Sequence, residues 1–208
     1  MEKKRFIFDL DDTLLKYDEE YEKEFFQKEF GCEDPFKGEL EELSRTYWNN
    51  YHRYVDNRLE NFLSYYANIP IKKGFVERWI NAIKDMPPTL EEGAKDTLDY
   101  LSRKGKSLVV LTNWYSECQE ERMKKAGILT YFDKIYTGEF VLKPNKIAYE
   151  QAAAYFKPEE VLFIGDDVEN DYIGPREFGY DAVLYDKKEE HSKSLVKIKK
   201  INELQDRY

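Results

Sequence analysis

Residues 5–14 have the sequence RFIFDLDDTL, in which a short apolar strand runs directly into three carboxylates. Acids placed two residues apart at the end of a buried strand repel each other and lose hydration. Such an arrangement is costly unless a cation or a phosphoryl group compensates the repulsion. This stretch therefore predicts a chemical site at the carboxyl end of the first strand.

Three later segments have the same form, an apolar or strand-like run that ends in a polar side chain. In open parallel sheets with helical crossovers, ligands bind outside the carboxyl ends of the strands, so residues distant in sequence converge there. We therefore expect all four strand ends to form one site. The later segments are residues 109–113 (VVLTN), Lys143-Pro144, and residues 161–171 (VLFIGDDVEND).

With these segments in this order, the chain resembles the haloacid dehalogenase superfamily of hydrolases. Its signature DxDx[TV] matches residues 9–13 and its GDxxxND motif matches residues 165–171, while Thr112 and Lys143 match its hydroxyl and lysine positions. The resemblance spans residues 5 to about 185. It implies an α/β fold, with a Rossmann-like doubly wound parallel sheet.

The resemblance also implies catalytic and phosphate-binding roles. Asp9 corresponds to the nucleophile that forms an aspartyl-phosphate, and Asp11 to the acid that protonates the leaving oxygen and then activates water. Lys143 would pair with Asp9 and the transferring phosphoryl group. Thr112 and the backbone amide of Asn113 would donate hydrogen bonds to phosphoryl oxygens.

A Mg²⁺ site is implied at the same strand ends. Asp9 and Asp166 are the expected carboxylate ligands, with Asp171 acting directly or through water and Asp11 contributing its backbone carbonyl. Mg²⁺ prefers oxygen ligands and is usually held by one or two carboxylates together with waters and substrate phosphate.

Length and composition predict a cytoplasmic protein that contacts neither nucleic acid nor membrane. A chain of 208 residues can hold one core with a smaller insertion, since domains usually have about 100–200 residues. The net charge of −9 argues against polyanionic partners. The two cysteines suggest reduced thiols, and no run of about 18 apolar residues occurs. We expect a monomer or a weak homodimer that acts on a small-molecule phosphate ester.

Nearly a hundred residues separate the first two strands, too many for a simple crossover. From residue 40 to residue 66, apolar side chains recur at three- and four-residue steps, as on a long amphipathic helix. We predict an all-helical cap of about four helices at residues 16–86, inserted into a core formed by residues 1–15 and 87–208. Helical caps lie at this point in many members of the superfamily, where they close over the site.

Alternating strands and helices are predicted after the insertion. Pro87-Pro88 marks a return hinge, and Thr89 to Glu92 has the pattern of a capping box at the start of a helix that Gly105 ends. The remaining predicted elements are strands at 107–112, 134–137, 161–166 and 181–185, and helices at 116–126, at 145–156 and, in a short form, after residue 166.

The predicted function is a Mg²⁺-dependent phosphatase acting on a sugar phosphate or a nucleoside monophosphate. Dehalogenases of this fold lack an acid at the position of Asp11, so its presence favours phosphoryl transfer. A phosphomutase would keep all the motifs, and a phospho-accepting signalling domain is a further alternative. Cap side chains that could contact substrate are Arg45, Trp48, His52, Arg53 and Arg58, although helical spacing favours packing and surface roles for them.

Overall fold

The computed structural model of the chain describes residues 2–55, 57–67 and 70–208. Its strands are β1 (Arg5–Phe8), β2 (Leu15–Lys16), β3 (Thr89–Leu90), β4 (Ser107–Leu111), β5 (Lys134–Tyr136), β6 (Val161–Gly165), β7 (Asp181–Tyr185) and β8 (Lys197–Ile198). Within the described residues, six strands form one parallel sheet in the order β5, β4, β1, β6, β7, β8. The strand order runs outward from β1 in both directions, so the predicted doubly wound α/β fold is confirmed.

Helices cover both faces of this sheet. The α-helices of the described residues, of which the first four belong to the insertion, are α1 (Glu19–Phe30), α2 (Leu40–Asn50), α3 (Arg58–Tyr66), α4 (Phe75–Asp85), α5 (Ala94–Arg103), α6 (Ser116–Lys125), α7 (Lys146–Ala153), α8 (Gly174–Glu177) and α9 (Leu204–Arg207). In β1, Phe6 and Phe8 pack into the core formed with α5 and α9, while Ile7 packs into the opposite core with α7. This burial on both faces explains why the strand is apolar at successive positions.

The insertion consists of α1 to α4, as the sequence predicted. Its core is aromatic; Phe75 and Trp79 stack with ring centroids 5.6 Å apart, for example. The apolar stripe from residue 40 to residue 66 belongs to two helices, because α2 ends at Asn50. In the loop that follows, the Tyr54 amide donates to the carbonyl of Gly138 at 2.8 Å, which ties the insertion to the sheet domain.

Strands β2 and β3 join the two ends of the insertion. They are antiparallel, with Leu15 opposite Leu90. The predicted capping box at Thr89 is wrong, because Thr89 lies in β3 and α5 begins only at Ala94. Glu92, the glutamate of the predicted box, instead accepts from the Lys200 ammonium group at 2.8 Å.

The other elements after the insertion agree with the predicted ones to within a few residues at each end. The main addition is β8, a two-residue strand that extends the sheet beside β7. Among the residues described, no helix combines the length and the apolar character needed to span a bilayer.

Candidate active site

The predicted site residues converge at the carboxyl edge of the sheet. Strands β4, β1 and β6 are neighbours, and Phe8 is paired with Val110 on one side and with Ile164 on the other. The residues that follow these strands are therefore adjacent. The Asp9 amide donates to the Ile164 carbonyl at 2.8 Å, which continues the ladder one residue past β1 and fixes the direction of Asp9.

Three of the predicted carboxylates form a compact cluster. One oxygen from each of Asp9, Asp166 and Asp171 lies within 4.8 Å of the others. The ammonium group of buried Lys143 bridges two of them, at 2.7 Å from Asp9 Oδ1 and 2.6 Å from Asp171 Oδ1. One lysine cannot neutralise three carboxylates, so the cluster carries excess negative charge.

The titration of these groups reflects their burial first and the neighbouring carboxylates second. Burial raises the pKa of Asp9 and of Asp171, and it raises the pKa of Asp166 to about 7. Burial by itself lowers the pKa of Lys143, but the Asp171 and Asp9 carboxylates outweigh it and hold that pKa above its ordinary value. Three hard oxygen donors in a region short of positive charge suit a divalent cation such as Mg²⁺.

The position of Asp171 depends on an irregular helix and a glycine. Residues Val168–Ile173 form a π-helix, and the Asp167 side chain accepts hydrogen bonds from the amides of Glu169 and Asn170 at its start. A Cβ atom at Gly165 would overlap the Asp171 carboxyl group. Glycine at residue 165 therefore allows the carboxylate to lie against the end of β6.

Asn113 orients the lysine loop with its side chain. Its Nδ2 donates to the Lys143 carbonyl at 2.9 Å, and its Oδ1 accepts from the Lys143 amide at 2.7 Å. The backbone amide of Asn113, expected to bind phosphate, has no acceptor among the described residues. Thr112 is buried beside it, and its Oγ1 accepts from the Gln119 side chain at 3.0 Å.

Asp11 lies apart from the acidic cluster and has partners that the sequence analysis missed. Arg122 donates to its Oδ1 at 2.5 Å and Gln119 donates to its Oδ2 at 2.7 Å. Both partners lie on α6 and are fully buried. The signal was available, since Gln119 and Arg122 share a helix face with the apolar residues Cys118 and Met123.

A cavity of about 690 Å³ lies between these strand ends and the helical insertion. Its aromatic walls include Trp48, Trp79 and Trp114, and the ring centroids of Trp79 and Trp114 are 5.1 Å apart. Trp114 thus packs against the insertion and also lines the cavity.

Of the cap residues considered from sequence, only Trp48 is among the described residues that line the cavity. Arg45 instead pairs with Glu41, and Arg58 lies over the Tyr51 ring.

Comparison with known proteins agrees with this geometry. The model of the haloacid dehalogenase-like hydrolase family matches residues 3–179. The chain is 27% identical to the pyrimidine 5'-nucleotidase PynA of Streptococcus pneumoniae over 195 residues, covering 86% of this chain and 82% of that protein. It is 26% identical to the pyrimidine 5'-nucleotidase YjjG of Escherichia coli over 187 residues, covering 81% and 79% respectively.

The fold has a close counterpart among solved structures. The HAD-hydrolase YfnB from Bacillus subtilis, whose crystal structure contains magnesium, superimposes with a TM-score of 0.78 at 20% identity, over 99% of this chain and 98% of YfnB. The family match covers most of the chain, and the strand ends carry the motif residues that define the cluster. The chain therefore belongs to the haloacid dehalogenase-like hydrolases and has phosphatases among its relatives.

Proposed function

We propose that the protein is a Mg²⁺-dependent phosphatase that hydrolyses a small phosphorylated metabolite through an aspartyl-phosphate on Asp9. The observation that carries this proposal is the position of Asp9, which contacts Lys143 within the acidic cluster and lines the cavity. Its relatives include pyrimidine 5'-nucleotidases and glyceraldehyde 3-phosphate phosphatases. The three tryptophans that line the cavity support a nucleoside monophosphate ahead of a sugar phosphate.

In the first half-reaction an Asp9 oxygen attacks phosphorus, and the bond between phosphorus and the leaving oxygen breaks. Asp11 gives its proton to that oxygen, so the leaving group departs as an alcohol. To carry this proton Asp11 has to release its ion pair with Arg122. In the second half-reaction water attacks phosphorus, Asp11 accepts the proton from water, and Asp9 and inorganic phosphate are released.

Three groups are proposed to hold the phosphoryl oxygens during both steps. Lys143 contributes a positive charge next to Asp9. The Thr112 hydroxyl and the Asn113 backbone amide add hydrogen-bond donors, and donors fixed in advance stabilise charge that develops in the transition state. The side chain of Asn113 forms two hydrogen bonds to the backbone of Lys143, which fix the position of Lys143 relative to the Asn113 amide.

The cluster of Asp9, Asp166 and Asp171 fits Mg²⁺, and the Asp11 carbonyl is the proposed fourth protein ligand. When bound, the ion would neutralise negative charge on the phosphoryl oxygens and on the attacking carboxylate. Thr13 supports this arrangement by donating from its hydroxyl to Asp166 Oδ1 at 3.1 Å.

We propose that the catalytic core comprises residues 1–15 and 87–208 and that residues 16–86 form the cap. The hairpin of β2 and β3 at the junction supports this division. The cap supplies the far wall of the cavity, including Trp48 and Trp79, and so contacts the leaving group.

Phosphate release from a panel of phosphorylated metabolites tests the proposal. Turnover with Mg²⁺ is expected, with loss of turnover in EDTA and in Asp9→Asn. Conversion of one phosphate ester into its isomer without phosphate release would indicate a phosphomutase instead. A stable phosphorylated Asp9 with no turnover would indicate a signalling role.

A further inference from the structure

Glu22 on α1 is a cap carboxylate that lines the cavity, and two aromatic residues hold it in place. Its Oε1 accepts hydrogen bonds from the Tyr17 hydroxyl at 2.5 Å and from Trp79 Nε1 at 2.8 Å. Tyr17 precedes α1 and Trp79 lies on α4, so the two donors approach from different elements. This fixes the orientation of the side chain before any ligand binds.

The second oxygen of Glu22 is left without a partner. Among the described residues no donor lies within hydrogen-bond distance of Oε2. Glu22 is half-buried, and burial raises the pKa of its carboxyl group. A ligand that displaces water from the cavity would leave Oε2 unsatisfied unless it brings an N–H or O–H group of its own.

The charges around the cavity oppose a second anion on the ligand. Lys143 is engaged by Asp9 and Asp171, and Lys23 is paired with Glu20 at 2.5 Å. No other lysine or arginine is among the described residues that line the cavity. Its acidic lining residues are Asp9, Asp11, Asp12, Glu19, Glu22, Glu33, Asp34, Glu41, Asp166, Asp167 and Asp171.

We propose that Glu22 is a specificity-determining residue that accepts a hydrogen bond from the leaving group and excludes leaving groups with a second phosphate or a carboxylate. The favoured leaving group is uncharged, carries N–H or O–H donors, and has a flat face that packs on the tryptophan walls. A nucleoside has all three properties. This inference rests on the proposed phosphatase function and names the selectivity of the same site.

A matched pair of substrates tests the selectivity. A nucleoside 5′-monophosphate and the corresponding 3′,5′-bisphosphate differ in the 3′-phosphate, which adds a second anion in place of a hydroxyl donor. We expect the wild-type kcat/KM to favour the monophosphate by at least about tenfold, because an anion placed beside a desolvated carboxylate is strongly disfavoured. Glu22→Gln removes the charge and turns an N–H donor toward the cavity, so this ratio should fall at least about fivefold.

Glu24→Gln is the control variant. Glu24 lies on the same helix, is exposed, and is not among the cavity-lining residues, so the same charge is removed without a change at the cavity wall. Its monophosphate-to-bisphosphate ratio should equal that of the wild type. If Glu22→Gln does not fold, Glu22→Asp withdraws the carboxylate from the cavity and should lower the ratio in the same direction.

The outcomes separate this inference from the proposed function. Wild-type protein that releases phosphate neither from the metabolite panel nor from p-nitrophenyl phosphate, a substrate with no donor groups on its ring, would overturn the proposed function and the inference with it. Wild-type activity on the nucleoside monophosphate, combined with equal ratios in Glu22→Gln and Glu24→Gln, would overturn the inference alone. A wild-type ratio near one would do the same.

Discussion

The guanidinium group of Arg122 is fully buried and donates to Asp11 at 2.5 Å. Its Nε and Nη2 atoms have no partner among the described residues, so Asp11 and the Gln119 side-chain oxygen satisfy Arg122 through Nη1 alone. A buried cation that depends on so few acceptors is sensitive to the loss of any of them. Asp11 therefore stabilises the fold in addition to its proposed role in proton transfer.

Asp11→Ala should reduce the free energy of unfolding because it leaves Arg122 without its counter-charge. We expect a loss of about 2–3 kcal/mol, below the full value for a buried pair, since Asp11 is partly exposed. Urea denaturation measures this loss. Adding Arg122→Met should recover at least half of the loss, although the double variant should stay inactive. A double variant no more stable than Asp11→Ala would contradict this view of the pair.

Gly165→Ala should impair activity much more than folding. The added methyl group displaces the Asp171 carboxylate, and a misplacement of this size at a catalytic site costs on the order of 100-fold in kcat/KM. Phosphate release measures the loss and circular dichroism the folding. The control is Gly179→Ala, where a Cβ meets no atom and only the positive φ of 87° adds about 1–2 kcal/mol of strain. Equal activity of the two variants would show that Asp171 tolerates displacement.

The effect of Mg²⁺ on stability should grow with pH. In the metal-free protein, burial raises the pKa of Asp166 from 3.8 to about 7. The folded protein therefore retains a proton that the unfolded chain has lost between these values. The contribution of Asp166 to the free energy of unfolding thus decreases as pH rises through this window. A bound cation would take the place of that proton.

We expect the rise in melting temperature on adding Mg²⁺ to be larger at about pH 8 than at about pH 6. Thermal unfolding with excess Mg²⁺ and with EDTA provides the comparison. Asp166→Asn, which removes the titrating group and a proposed ligand, should abolish the difference between the two pH values. An equal Mg²⁺ effect at both values in the wild-type protein would count against metal binding at Asp166.

Intrinsic fluorescence should report ligand binding. All three tryptophans of the chain, Trp48, Trp79 and Trp114, line the cavity. Titration of Asp9→Asn with a nucleoside monophosphate should give a saturable change in emission, because the ligand alters the polarity around the rings without being turned over. Inorganic phosphate, which does not reach the cap wall, should give a smaller change, and Trp48→Phe should reduce the amplitude. A nucleotide that inhibits wild-type turnover of another substrate but leaves the emission of Asp9→Asn unchanged would have its leaving group outside the cavity.

The larger part of the fold could be predicted because buried parallel strands leave a strong signal. Residues 6–8 and 161–165 are apolar throughout, as strands covered on both faces must be. The short strands were missed for the opposite reason, since β2, β3 and β8 have two residues each and no periodicity can be detected over that length. The capping pattern at Thr89 failed because tertiary pairing with β2 outweighed the local preference.

The site residues at the strand ends could likewise be named from sequence, since the order of the strands brings them together. Arg122 and Gln119 were missed, because the high charge of their helix, with the sequence SECQEERMKK, outweighed the weak signal from Cys118 and Met123 on the same face. Their burial is dictated by Asp11, a partner more than a hundred positions away. Glu22 was missed in the same way, since its importance comes from the donors Tyr17 and Trp79 that surround it in space.

The pairing of Leu15 with Leu90 has an evolutionary consequence. Because one hydrogen-bonded pair of strands holds both ends of the insertion side by side, the length and sequence of the intervening segment can change without moving the catalytic strand ends. The insertion can therefore diverge, or be exchanged for the corresponding segment of a relative, as a single cassette. Substrate preference can then evolve on one side of this junction while the chemistry is conserved on the other.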